Sequence, residues 1–212
     1  MLVGERMSRP VITVNPDTTL EQALEVMQKE RIRRLPVVNR RGELVGLIEE
    51  RVILRALPSD ATTLSVWEAR DMVRKLTVSK FMAQGVVTVT EDTPIEIAAC
   101  LMEDHQMSGL PVLRSGSLVG FITSRDIFTT FLELMGARDV GVRLTAMVTR
   151  RPGVLMSISK AIFEAGGDVI ALGTTAGDSS DTVELMIKVA EVDKDTLVRG
   201  VTPYVERIVD VR

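Results

Sequence analysis

A 47-position pattern is written twice in this chain, at Met7–Leu54 and again at Met82–Phe128, with an offset of 75 residues that becomes 74 after one deletion. Nineteen of the aligned pairs are identical, among them Thr13/Thr88, Val14/Val89, Asp17/Asp92 and Thr18/Thr93. The strings Leu35-Pro36-Val37 and Leu44-Val45-Gly46 return as Leu110-Pro111-Val112 and Leu118-Val119-Gly120. Repetition at such a period marks one supersecondary unit used twice, because a single copy cannot bury its apolar face. The pair is therefore expected to be the folding unit.

Each copy opens on a β-branched run, Val11-Ile12-Thr13-Val14 or Val86-Val87-Thr88-Val89, which favours an extended backbone. A helix follows. The spacing of Thr18 to Glu21 and of Thr93 to Glu96 predicts reciprocal capping of its first turn, and Pro94 suits the first helical position. Leu20, Ala23, Leu24 and Met27, and then Ile95, Ala98, Ala99 and Met102, recur at helical spacing and predict a core face. A hairpin comes next, Leu35–Val38 to Leu44–Ile48, matched by Leu110–Leu113 to Leu118–Ile122. Gly42 and Gly116 supply its turns. A last helix begins near Arg51 and Arg125. Between the copies, Leu64–Leu76 reads as an amphipathic linker helix preceded by a turn at Pro58-Ser59-Asp60.

Composition narrows the function classes. The chain has 212 residues, 45% apolar and 26% charged, enough for a full core and more than one module. It contains no run of 18 uncharged apolar residues, and Met1–Pro10 carries charges where a signal peptide needs an apolar stretch, so a cytoplasmic location without membrane association is expected. The net charge of −3 and 3% aromatic content argue against nucleic acid as a partner. The single cysteine, Cys100, lies in the apolar run Ile97–Met102 and is expected to be a buried structural thiol. His105, the single histidine, suits a solvated helix end. One His and one Cys do not make a common zinc cluster or a Cys-His nucleophile pair, and no phosphate-binding or dinucleotide glycine motif is present. No metal, no catalytic cofactor and no catalytic residue is expected.

The repeated strings resemble paired cystathionine β-synthase-type (CBS) domains, a β-α-β-β-α unit used in tandem. The resemblance rests on Val11–Val14, Leu35–Val38, Gly42 and Leu44–Ile48, and on Val78–Met82, Leu110–Val112 and Gly120–Ile127. It implies repeat one at 1–62, a linker helix at 63–77 and repeat two at 78–135. Such pairs commonly bind adenosine nucleotides between the repeats, at a Gly-x-x-Thr/Ser-x-x-Asp string that repeat two carries as Gly120 to Asp126.

The chemistry of that string is intelligible. The Asp126 carboxylate can accept from both ribose hydroxyls, and Thr123, at a helix start beside Arg125, can join backbone N–H groups that hold phosphate. Thr123 and Asp126 equally suit a plain helix cap. Repeat one departs from the pattern, with Glu49 and Val52 at these positions, whereas it has Arg33 and Arg34 where repeat two has Ser108 and Gly109. In a pseudo-twofold pair, Arg33 or Arg34 is expected to reach the phosphates of a nucleotide whose ribose is held by Asp126, giving one good site and one degraded site. Val86, Val87, Thr88, Leu110 and Pro111 are expected to line the adenine slot. A solvated basic patch including Arg31, Arg40 and Arg41 is the alternative for these arginines.

Past Gly136 the periodicity predicts a strand at Val142–Val148, a helix opening at Pro152-Gly153 and stopped by Gly166-Gly167, strands at Val169–Thr175 and Val183–Val189, a helix from Asp193, and a strand at Tyr204–Val211. This β-α-β-β-α-β order at 140–212 resembles an ACT domain, a ferredoxin-like regulatory module that often binds amino acids where two copies meet. The usual Asp-x-Pro-Gly loop reads Arg150-Arg151-Pro152-Gly153 here. The reversed charge suits an anionic effector or a dimerising role. The fold class expected is therefore α+β, an α/β sandwich of two CBS repeats with a C-terminal ACT module. Together they resemble the AcuB-like proteins associated with acetoin utilisation. The expected function is a non-catalytic homodimeric sensor that takes an adenosine nucleotide (AMP, ADP or ATP) as its regulatory ligand and passes the signal to a protein target. An amino-acid-responsive ACT module with the CBS pair as scaffold is the alternative.

Overall fold

In the computed structural model, which describes residues 1–56 and 75–212, the chain is a mixed α+β protein of two units, Met1–Ile127 and Phe128–Arg212. The predicted linker helix lies at residues that, but for Lys75 and Leu76, fall outside the described ones.

Repeat one contains α1 (Val3–Arg6), α2 (Leu20–Glu30), β1 (Arg34–Val38), β2 (Leu44–Glu49) and α3 (Glu50–Ala56). Strands β1 and β2 are antiparallel, with Leu35 opposite Ile48 and Val37 opposite Gly46. In repeat two, a 3-10 turn (Val78–Lys80) precedes β3 (Val89–Thr90), α4 (Ile95–Asp104), β4 (Gly109–Arg114), β5 (Ser117–Thr123) and α5 (Ser124–Leu134). Here β3 is parallel to β4, and β4 is antiparallel to β5. The hairpin glycines Gly42 and Gly116 stand at φ +78° and +83°, the left-handed region that a Cβ disfavours. Leu20, Ala23 and Met27 form the buried face of α2, as Ile95, Ala98 and Met102 do for α4.

The two repeats exchange their leading segments. Val3 and Met7 are buried in the core of repeat two with Val89, Ala98, Leu110 and Ile122. Val78 is buried in the core of repeat one with Leu20, Leu35 and Ile48, and Phe81 and Met82 pack against it. The backbone repeats the exchange: Ser8 bridges Phe121 as Ala83 bridges Leu47, and Leu2 bridges Pro94 as Thr77 bridges Thr19. Gly46 and Gly120 are the residues that admit this crossing. A Cβ on Gly46 would stand 2.7 Å from Met82 Sδ and 2.8 Å from the Ala83 carbonyl, and one on Gly120 would collide with the Met7 sulfur. Neither core closes without its neighbour's lead-in, which is the physical content of the duplication.

Within the two repeats, local details depart from the sequence expectations in three places. The capping box sits one residue later than the spacing of Thr18 to Glu21: Thr19 Oγ1 accepts from Gln22 N at 3.2 Å, and Thr19 N donates to Gln22 Oε1. Thr18 Oγ1 is occupied by Asn15 N at 3.1 Å, and Thr93 Oγ1 likewise by Thr90 N, with Pro94 at the N-cap. Each opening strand is shorter than its β-branched run. In repeat one a single bridge from Val14 to Val37 remains, and in repeat two Val89–Thr90 alone is laddered. Cys100 is exposed rather than buried, because the face of α4 that carries Ile95, Ala98 and Met102 turns Ile97 and Cys100 outward.

In the second unit, β6 (Val142–Thr149), α6 (Val154–Glu164), β7 (Asp168–Ala176), β8 (Thr182–Ala190), α7 (Lys194–Val201) and β9 (Arg207–Val211) follow in β-α-β-β-α-β order. The sheet runs β7-β8-β6-β9 and is antiparallel throughout. Alternate residues Leu144, Ala146 and Val148, with Leu185, Ile187 and Val189, pack against Ile158 and Ile162 of α6 and Leu197 and Val201 of α7. Gly166 at φ +78° ends α6, and the Asp193 carboxylate caps α7 by accepting from Asp195 N and Thr196 N, each at 3.0 Å. Tyr204, expected in the last strand, lies instead in a 3-10 turn at Thr202–Tyr204, where Pro203 cannot donate to a ladder.

Candidate functional site

Strand β5 ends at Thr123 and α5 begins at Ser124, so the Gly-x-x-Thr-x-x-Asp string lies on a strand-to-helix junction. Thr123 and Asp126 form a reciprocal cap. Asp126 Oδ2 accepts from Thr123 N at 2.8 Å and from Thr123 Oγ1 at 2.6 Å, while Asp126 N donates to Thr123 Oγ1 at 3.3 Å. Both donors converge on one carboxylate oxygen. The side chain is thereby fixed, and Oδ1 makes no hydrogen bond among the described residues.

This junction forms one side of a cleft of about 670 Å³ inside the first unit. Repeat two contributes Ser108, Phe121 and Thr123 through Asp126. Repeat one contributes Ser8, Pro10, Val11, Ile12, Arg31 through Arg34, and Pro36. The cleft thus unites the predicted residues Thr123, Arg125 and Asp126 with Arg33 and Arg34 from the other repeat. Arg34 is held across the β1–β2 pair by Glu49, Nε to Oε1 at 3.3 Å, and Arg33 lies 3.8 Å from Glu50. Glu49 also binds Arg51. The acid that replaces threonine in repeat one therefore positions an arginine at the cleft.

The residues expected to line an adenine slot lie elsewhere. Val86, Val87, Thr88, Leu110 and Pro111 do not line this cleft; Leu110 is fully buried in the core of repeat two, with Val87 packed against that core. Their repeat-one counterparts Val11, Ile12 and Pro36 line it instead, beside Phe121, which bridges Ser8 of the exchanged lead-in. Sequence reasoning also passed over Phe121, Ser8 and Pro10. The signal that would have found them is the pseudo-symmetry itself: residues flanking a bridge between repeats face the cleft between them.

A charged cluster ties the lead-in of repeat one to repeat two. Glu91 binds Arg114 and, at 2.7 Å, Arg9, which also donates to the Gly4 carbonyl at 3.1 Å. The hydrogen bond from Arg114 is the main cause that holds the Glu91 carboxyl below its ordinary range, with the charges of Arg114 and Arg9 adding to it against desolvation. This clamp fixes Arg9, between the cleft residues Ser8 and Pro10, to repeat two.

In the second unit the loop residues Arg150, Arg151, Pro152 and Gly153 come together in a concavity of about 480 Å³ with Val148, Val154, Leu155, Thr174 and Val183. Gly153 is the N-cap of α6 at φ +86°. Among the described residues no group of three His, Cys, Asp or Glu side chains is placed to hold a metal ion, and no helix is long and apolar enough to cross a membrane.

The repeated unit is matched by known proteins. A family model described as CBS domain matches residues 3–59 and 78–133. A CBS domain-containing protein of Dictyostelium discoideum is 35% identical over 136 residues, which is 64% of this chain and 94% of the relative. Inosine-5'-monophosphate dehydrogenase of Methanocaldococcus jannaschii is 32% identical over 193 residues, 91% of this chain, but the match spans only 36% of that enzyme. Among solved structures, the CBS domain pair of protein MJ0100 in complex with 5-methylthioadenosine and S-adenosyl-L-methionine has a TM-score of 0.53 and 31% identity, covering 66% of this chain and 98% of its own. CBSX2 in complex with AMP has a TM-score of 0.53 at 26% identity, with 63% and 97% covered. A putative acetoin utilization protein (AcuB) from Vibrio cholerae has a TM-score of 0.54 at 25% identity, with 66% and 96% covered.

Proposed function

The chain belongs to the CBS domain family, and from that premise we propose that it is a non-catalytic regulatory protein that binds an adenosine nucleotide of the AMP, ADP or ATP class in the cleft between its repeats. The observation that carries this reading is the meeting of Arg33 and Arg34 of repeat one with Thr123, Arg125 and Asp126 of repeat two around one concavity. Asp126 Oδ1 accepts from the ribose hydroxyls, the arginines and the α5 N-terminus take phosphate, and the adenine lies against Val11, Ile12, Pro36 and Phe121. The related pairs solved with AMP and with S-adenosyl-L-methionine support an adenosine ligand. Bound ligand touches both repeats, so it shifts their packing by its differential affinity for the two arrangements and passes that shift to a protein target.

Thermal denaturation with and without AMP, ADP and ATP tests the proposal. A ligand at 100 times its dissociation constant adds about 2.7 kcal/mol of stability. An unchanged transition with all three nucleotides contradicts it.

The second unit supports a further reading. Its β-α-β-β-α-β order and its β7-β8-β6-β9 sheet suit a ferredoxin-like ACT module at 140–212, and the concavity at Arg150–Gly153 suits an anionic effector. An effector-responsive ACT module with the CBS pair as scaffold is the alternative it offers; stabilisation by small carboxylates or amino acids with none by nucleotides favours it. The exposed stripe Phe128, Phe131 and Leu134 on α5 supports a homodimer, which sedimentation equilibrium tests. A role in acetoin or energy metabolism, supported by the likeness to the AcuB protein, and a cytoplasmic location complete the proposal.

A further inference from the structure

The cleft's charge is unlike that of the chain around it. The chain as a whole is acidic, at −3. The cleft, however, is lined by four arginines, Arg31, Arg33, Arg34 and Arg125, against a single acidic residue, Asp126. Two of the four are partly offset from outside the lining, Arg34 by Glu49 and Arg33 by Glu50, while among the described residues no carboxylate lies within ion-pair distance of Arg31 or Arg125.

This charge is a property of side-chain choice, not of backbone. Arg31 and its repeat-two counterpart Gln106 share the same left-handed backbone, φ +56° and +51°, at the end of equivalent helices. In repeat two, Arg31, Arg33 and Arg34 are replaced by Gln106, Ser108 and Gly109. At Gly109 the neighbouring Phe121 ring fills the room that a side chain would need, with Cε1 2.6 Å from a Cβ placed there. Positive charge is thus concentrated on the cleft that also has Asp126.

Such a field discriminates between adenosine ligands that share base and ribose. Each phosphate adds about one to two negative charges that meet the arginines as charge-assisted hydrogen bonds. S-adenosylmethionine instead carries a sulfonium and an ammonium against one carboxylate, and its net positive charge is repelled. 5-Methylthioadenosine is neutral and gains nothing. We propose that the cleft selects its ligand by charge: it takes adenosine di- and triphosphate ahead of monophosphate and excludes S-adenosylmethionine, with repeat one supplying three of the four arginines and repeat two the fourth, Arg125, together with the ribose carboxylate. This inference rests on the adenosine reading of the cleft and specifies its ligand class.

Titration calorimetry of the full chain with ATP, ADP, AMP, adenosine, 5-methylthioadenosine and S-adenosylmethionine, without divalent cations and at low and high salt, tests it. Affinity is expected to rise from adenosine to AMP to ADP and ATP. S-Adenosylmethionine should bind at least about tenfold more weakly than ADP, and the nucleotide preference should shrink as salt screens it. Arg125→Gln and Arg33→Gln are each expected to weaken ADP about tenfold, as the loss of one charged hydrogen bond does, with a smaller effect on adenosine. Equal or tighter binding of S-adenosylmethionine or 5-methylthioadenosine than of ADP overturns charge selection and leaves the adenosine reading standing. Equal losses of adenosine and ADP in both variants also overturn it. No heat from any of the six removes the adenosine reading and this inference with it.

Discussion

Asp126 uses its two carboxylate oxygens differently: Oδ2 is held by Thr123 N and Oγ1, and Oδ1 faces no partner among the described residues. Cap and ligand contact are therefore compatible in one residue. Asp126→Ala should abolish nucleotide-dependent stabilisation and lower the unliganded stability by about 0.5–2 kcal/mol through loss of the cap. Asp126→Asn, which can still accept from Thr123, should stay close to wild type in urea unfolding while losing most of the ligand effect. Glu91 gives a pH dependence of known sign. Its folded-state carboxyl is depressed by Arg114, then by Arg9, so the stability it contributes is present above the ordinary Glu value of about 4.3 and is lost as pH falls below that value through the depressed one. The urea midpoint of Glu91→Gln should converge on that of wild type in this acid window and lie below it at neutral pH.

At the scale of elements, the helices and hairpins follow from patterns within a few residues of each other. The spacing of Leu20, Ala23 and Met27 gives α2 its buried face, and Gly42 and Gly116 mark the turns because only local φ is at stake. The exchange of lead-ins was not legible, since Ser8 to Phe121 and Leu47 to Ala83 are pairings between copies and no local pattern encodes them. Without that pairing, the aligned copies do not tell that Val11, Ile12 and Pro36 line the cleft with Arg33 and Arg34 while Val86, Val87 and Leu110 do not. The arginine side of the cleft is legible because a difference between aligned copies, Arg33 and Arg34 against Ser108 and Gly109, can be read without knowing the pairing. The crossing makes a prediction of its own. Gly46→Ala and Gly120→Ala should each cost about 1–3 kcal/mol in equilibrium unfolding, as overpacking does. Adding Met7→Ala should recover part of the Gly120→Ala loss, because a flexible side chain is the obstacle. Adding Met82→Ala should recover less for Gly46→Ala, where the Ala83 carbonyl, 2.8 Å from the added Cβ, is backbone and cannot give way.

For the whole molecule, duplication has produced similar cores and dissimilar sites. Each core is closed by the other repeat's lead-in, so deletion of Met1–Ser8 removes Val3 and Met7 from the core of repeat two and Ser8 from the cleft. Burial of a Val or Met side chain contributes about 1.5–3 kcal/mol each, so the deletion should lower the unfolding transition well beyond the loss expected of a frayed terminus, and nucleotide binding should disappear with it. Stoichiometry separates one asymmetric cleft from two equivalent ones. Calorimetric titration of the full chain with ADP should give one site per chain, eliminated by Asp126→Ala. Two equal sites per chain, or full binding by Asp126→Ala, would contradict the account.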